Sequence, residues 1–217
     1  MIELINPYVV KILITARDGD SIRAISKRIN VSYAWTYKWV EHLVALDVFK
    51  RKGQKIHIVT ENRAYKKFMH FFADMLKDSL NLTDAYSLPH LAGLEYAFTS
   101  TDAIFIWTKG GYNIGRNKDR YPIFIEVLEE DIDGWYRFFS RFSIQATKKI
   151  EKNKGIYFIM MPKKTIEKEF VTGVFVIPLK TTIAYAQKYI YNFEPALEML
   201  NDMYKLGMKI SYAEKSI

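Results

Sequence analysis

Between residues 7 and 60, apolar side chains recur every three or four positions in short runs separated by polar punctuation. Val9, Ile12, Leu13 and Ala16 form one face behind Pro7, which suits the first turn of a helix, with Asn6 as its cap. Gly19 ends that run. Ser21 caps a second helix, with Ile22, Ile25 and Ile29 on one side. Asn30-Val31 makes a tight turn, and Ser32 caps a third helix carrying Thr36, Trp39, Val40, Leu43 and Leu46 on one face. FKRK and KIHIV then alternate around Gly53-Gln54, the pattern of a two-stranded hairpin.

The spacing predicts a further helix from Thr60-Glu61 to about Leu80, striped by Tyr65, Phe68, Phe72, Met75 and Leu76. Such a stripe can be ordinary core, or it can meet a second copy of the chain. From Asp84 onward the pattern changes. SLPHLAGLEYAF reads as a helix. DAIFIWT, YPIFIEVLE, GIYFIMMP and VTGVFVIP read as four strands rich in aromatic and β-branched residues. DGWYRFFSRFSIQATKKI reads as a helix between the second and third strands. The last long apolar segment reads as one helix bent near Pro195 or as two, with Gly207 as terminator. The chain is thus expected to be α+β, with residues 1–60 as a winged helix-turn-helix and residues 61–82 as a connecting helix. Residues 83–217 are expected to form a mixed α/β domain with about four strands.

Charge sharpens this picture. The chain has 217 residues and a net charge of +8. Residues 1–60 hold ten Lys and Arg against five Asp and Glu, so more than half of the excess lies in about a quarter of the length. A concentrated basic surface favours a polyanion through counterion release. There is no cysteine, which excludes disulfides, thiolate catalysis and cysteine–zinc sites. His42, His57, His70 and His90 are scattered without metal spacing, so neither a metal nor another cofactor is expected. Glu3, Pro7 and Lys11 interrupt the first apolar stretch, and no run approaches a membrane span. The expectation is a cytoplasmic protein with no membrane partner.

In a helix-turn-helix the second helix of the pair lies in the major groove of DNA, its first residues nearest the base edges. That places Ser32, Tyr33 and Trp35 as groove candidates, with Tyr37 on the same outward side and Lys38 and His42 nearer phosphate. Arg23, Lys27 and Arg28 occupy the polar side of the preceding helix. Lys50, Arg51, Lys52 and Lys55, together with His57, occupy the hairpin, where a wing touches phosphate or the minor groove. The segment SIRAISKRINVSYAWTYKWVEHLVALDVF resembles the winged helix-turn-helix regulators of the MarR-like class, except that Asp47 stands where those have glycine after the third helix. The resemblance implies a DNA-binding transcriptional regulator but no particular operator. The order of winged helix, LPHLAGLEYAF, strands and PLKTTIAYA also resembles the antitoxin-regulators of the AbiEi type. Their implied role is repression of their own promoter. The expected partners are double-stranded DNA, a second copy of the chain, and a small-molecule or protein effector at the C-terminal domain.

Two motifs favour an enzyme instead. Gly110 to Gly115 has the spacing of a phosphate loop, but Arg116 and Asn117 stand where Lys and Ser or Thr are needed. Gly110-Gly111 followed by IFIEV resembles nucleotidyltransferases, whose strand carries two carboxylates for metals. Here Glu126 supplies one and Phe124 stands in place of the other. The alternative reading is therefore a nucleotidyltransferase-like enzyme, or its degenerate relative, with Lys109, Arg116, Lys118 and Arg120 around an anionic substrate. The leading expectation is a protein without catalytic residues.

Overall fold

A computed structural model describes residues 6–114, 116–117, 119–149 and 153–210, with the side chains of 77–79 left out. Glu3, Gly115, Lys118 and the end of the helix expected up to Ile150 lie outside the described residues. The structure is mixed α and β, with two separate sheets. Its described residues divide into two compact units. One comprises those up to 81 together with 91–93 and 141–143. The other comprises 82–90, 94–140 and those from 144 onward.

The first unit opens with α1 (Pro7–Thr15), β1 (Asp20–Ser21), α2 (Ile22–Ile29) and α3 (Tyr33–Ala45). The hairpin β2 (Phe49–Lys52) and β3 (Lys55–Ile58) follows, then α4 (Arg63–Ser79). Each of the first three helices starts where a side chain meets a free backbone donor. Asn6 accepts from Tyr8 N–H, Ser21 from Ala24 N–H and Ser32 from Trp35 N–H. Their apolar faces converge: Val9, Ile12, Leu13, Ala16, Ile25, Val40 and Leu43 are fully buried, and Thr36 with them. Asn30 takes the left-handed conformation (φ 52°) that turns the chain between α2 and α3, and Val31 N–H bonds Ser26 O at 3.1 Å. Asp47 also sits at φ 52°, so it occupies the conformation that a glycine would favour there. Lys52 pairs with Lys55 across Gly53-Gln54, with Gly53 at φ 60° in the first central position of the turn. β1 was not expected. It adds to the hairpin and gives an antiparallel sheet of order β1-β3-β2. α4 is grouped with this unit; it buries Tyr65, Met69 and Ala73, and Phe72 packs edge-on to Phe142 at 5.5 Å. Phe71 and Met75 stay exposed one turn apart.

The second unit differs from its expectation in four places. DGWYRFFSRFSIQATKKI, expected as one helix, is helical only over Ile132–Arg141, and Ala146–Thr147 within it is a strand. DAIFIWT is a helix, α6 (Ser100–Trp107), with Ala103, Ile104, Ile106 and Trp107 all buried. SLPHLAGLEYAF is split between α5 (Leu82–Ala92) and β4 (Tyr96–Phe98), and Gly93 at φ 59° makes the break. VTGVFVIP belongs to a hairpin of β8 (Glu169–Val171) and β9 (Val174–Val176), whose turn residues Thr172 and Gly173 both have positive φ. The remaining elements are β5 (Arg120–Leu128), α7 (Ile132–Arg141), β6 (Ala146–Thr147), β7 (Gly155–Lys163), α8 (Leu179–Lys188) and α9 (Ile190–Tyr204). The C-terminal segment is therefore two helices, with Pro195 inside the second.

These strands form one six-stranded mixed sheet of order β6-β7-β5-β4-β9-β8 among the described residues, larger than the four strands expected. α7 contributes Trp135 and Phe139, and Phe139 stacks on Phe158 of β7 at 4.4 Å. Ile104 of α6 clusters with Ala186 of α8 and with Phe193, Ala196 and Leu197 of α9. Among the described residues no helix is long and apolar enough to cross a membrane.

Candidate nucleic-acid interface

α3 has one face locked into the first unit by Thr36, Val40 and Leu43, which leaves Tyr33, Ala34, Trp35, Tyr37 and Lys38 on its exposed side. Tyr33, Trp35 and Tyr37 are 51, 47 and 38% exposed, and Ala34 and Lys38 are exposed beside them. Large rings left in water on a helix otherwise anchored by its apolar face are unusual enough to mark a surface. They are also mutually ordered. Tyr8, at the start of α1, stacks on Trp35 with centroids 5.8 Å apart and planes 11° from parallel. Tyr33 lies 6.0 Å from Tyr37. The Lys38 ammonium sits 4.9 Å from the Trp35 ring centre and 5.6 Å from that of Trp39.

The hairpin is tied to this helix through Arg51. Its Nη1 donates to Glu41 Oε1 at 2.8 Å, its Nε donates to Gly53 O at 3.1 Å, and its guanidinium lies 5.6 Å from the Tyr37 ring centre. The hydrogen bond to Tyr37 is the largest influence on its pKa, which is raised above the ordinary arginine value. Lys50, Lys52 and Lys55 stand exposed along the hairpin, as do Arg23 and Lys27 on α2. The base of the hairpin is fixed by Asp18, whose carboxylate accepts from Ile58 N–H at 2.9 Å and lies 3.1 Å from His57 Nδ1. The Ile58 hydrogen bond is the main reason that the Asp18 carboxyl sits below its usual pKa.

Two expected contacts must be corrected. Arg28 does not reach outward: its side chain is 12% exposed and forks onto Asp20, with Nη1 also donating to Thr15 O at 2.7 Å. Gly93 permits this, because a Cβ there would fall 2.1 Å from Arg28 Nε. A charged donor fully engaged by a half-buried carboxylate has no fork left for a phosphate. His42 is half-buried, with its ring edge-on to Trp39 at 5.9 Å, so it is set back from the exposed edge. Ser32 keeps its expected place, but its hydroxyl caps α3.

One member of the surface escaped the sequence pattern. Tyr8 lies off the buried stripe of α1, on the side facing Trp35. An aromatic at the start of a helix and off its apolar face was the available signal.

The residues named for an enzyme come out differently. Arg116 is not displayed by its loop; its side chain is 3% exposed and pairs with the fully buried Asp102 at 2.6 Å. Asp102 also accepts from Phe124 N–H at 2.7 Å and from the Tyr86 hydroxyl. Burial is the largest influence on Arg116 and opposes its charge, but Asp102, Tyr86 and Tyr121 together raise the guanidinium pKa above its ordinary value. Burial pushes the Asp102 carboxyl pKa up, while Arg116, the Tyr86 hydroxyl and Phe124 N–H act against that; a neutral Asp102 would leave a buried cation without its counter-charge. Glu126 is half-buried, accepts from Thr99 Oγ1 at 3.3 Å and lies 3.6 Å from Lys163 Nζ. Gly110 follows α6 instead of a strand, which removes the context of a phosphate loop. Among the described residues no three His, Asp or Glu side chains converge as a metal site.

No family model, no curated protein and no solved structure matches this chain.

Proposed function

We propose that this protein is a DNA-binding transcriptional regulator whose first unit works as a winged helix-turn-helix of the MarR-like kind. α3 enters the major groove with its first two turns, and the β2–β3 hairpin lies along the backbone as the wing. The observation that carries this reading is the exposed start of α3, with Tyr33, Trp35, Tyr37 and Lys38, tied through the Arg51–Glu41 pair to a hairpin along which Lys50, Lys52 and Lys55 stand exposed. Aromatic edges and cations side by side suit groove and phosphate together. The second unit then serves partner or effector binding. A second copy of the chain is favoured by Phe71 and Met75, exposed on α4. The enzyme reading loses support because Arg116 and Glu126 are both engaged inside the second unit.

The test is the affinity of the full chain for duplex DNA across a salt series. Arg23, Lys27, Lys38, Lys50, Lys52 and Lys55 supply six outward cations. At about 0.9 per neutralised phosphate, log affinity against log salt should fall with a slope of roughly −5. A slope near zero, or no binding at low salt, overturns the proposal.

A further inference from the structure

We infer that this surface selects A·T pairs by packing aromatic rings on thymine methyl groups in the major groove. The inference rests on the nucleic-acid reading above and adds what that surface can recognise.

The α3 sequence YAWTYKWVEHLVA holds no arginine, asparagine or glutamine. Arginine is the residue whose fork matches guanine O6 and N7, and asparagine and glutamine are those that match adenine N6 and N7. The carboxylate that could accept from cytosine N4 is Glu41, and it is bound to Arg51 Nη1 at 2.8 Å. Arg51 is in turn committed to Glu41, to Gly53 O and to the Tyr37 ring. The Ser32 hydroxyl accepts from Trp35 N–H. The Lys38 ammonium lies over Trp35, where its charge supports phosphate contact more than a forked reading of a base. The forked side chains that carry pairwise base codes are thus missing from the helix, and its one carboxylate is occupied.

What faces outward instead is mostly ring and methyl carbon: Tyr33, Trp35 and Tyr37, the methyl of Ala34, and Tyr8 stacked on Trp35. Only thymine places an apolar group in the major groove, and alanine and aromatic side chains are its partners. The stacking also fixes the rings before contact. Tyr8 and Trp35 are nearly parallel and Tyr33 leans on Tyr37, so little rotamer freedom is lost on docking. Both pairs present polar groups in the major groove, so the preference comes from the methyl contact that an A·T pair offers this ridge and a G·C pair does not.

The experiment compares the full chain on four alternating duplexes of equal length, by fluorescence anisotropy at one salt concentration. They are d(A-T), d(G-C), d(A-U), which lacks only the methyl, and d(I-C). The last keeps a G·C-like major groove while its minor groove resembles A·T. The expected result is d(A-T) bound about tenfold more tightly than d(G-C), with most of that preference gone in d(A-U). The d(I-C) duplex should bind like d(G-C), and Tyr33→Ala, at an exposed position, should narrow the d(A-T) to d(A-U) difference. Equal binding of d(A-T) and d(G-C) overturns the inference. Equal binding of d(A-T) and d(A-U), or d(I-C) bound like d(A-T), also overturns it by moving the preference to the minor groove. Failure to bind any of the four overturns the parent reading and this one with it.

Discussion

Asp102→Ala should destabilise the second unit by about 3–5 kcal/mol. The carboxylate is fully buried and takes Arg116 Nη1 at 2.6 Å, Phe124 N–H at 2.7 Å and the Tyr86 hydroxyl. Removing it leaves a guanidinium 3% exposed, with Pro122 O at 3.2 Å, Asn113 Oδ1 at 3.0 Å and the Tyr121 ring at 4.4 Å as its remaining neighbours. None of these carries the negative charge that the buried cation needs. Urea unfolding of the full chain reads the loss directly. The double variant Asp102→Ala with Arg116→Met should recover much of it, because the stranded charge is gone. A single variant that costs under about 1 kcal/mol, or a double variant no better than the single, would show that the ion pair does not hold the loop before β5.

Replacing Lys50, Lys52 and Lys55 together with alanine should weaken duplex binding on the order of a hundredfold near physiological salt. The same triple variant should flatten the log–log salt slope by about 2.7, from three lost phosphate contacts at roughly 0.9 each. These side chains are exposed on the hairpin, so the fold should survive. Arg28→Ala is the matched control. It removes the fork onto Asp20 and the bond to Thr15 O, so it should lower the stability of the first unit by about 2–3 kcal/mol. The salt slope of the folded fraction should stay as it was. A triple variant that keeps the original slope would remove the hairpin from the interface.

The contrast between Arg28 and the hairpin lysines marks the limit of what the sequence could tell. α1, α2, α3 and the hairpin were legible because caps, periodicity and turn residues agreed at every step. Asn6, Ser21, Ser32, Asn30 and Gly53 each do the local task that their chemistry suits. The polar side of α2 was legible as a side. That Arg28 bends inward to Asp20 depends on β1, a strand of only two residues, and on Gly93, far along the chain. In the second unit the run DAIFIWT was buried nearly all round, and an apolar run of that length does not separate strand from helix. Read as a strand, that run starts at Asp102, and nothing local links Asp102 to Arg116. Tyr8 is illegible for a similar reason: its partner, Trp35, lies on another helix.

The most direct measurement is hydrogen–deuterium exchange of the full chain with and without a saturating amount of duplex. Slowed exchange should concentrate at residues 32–38 and 50–55, the outward start of α3 and the hairpin. Slowing confined to the six-stranded unit, or no change anywhere despite binding, would contradict the account.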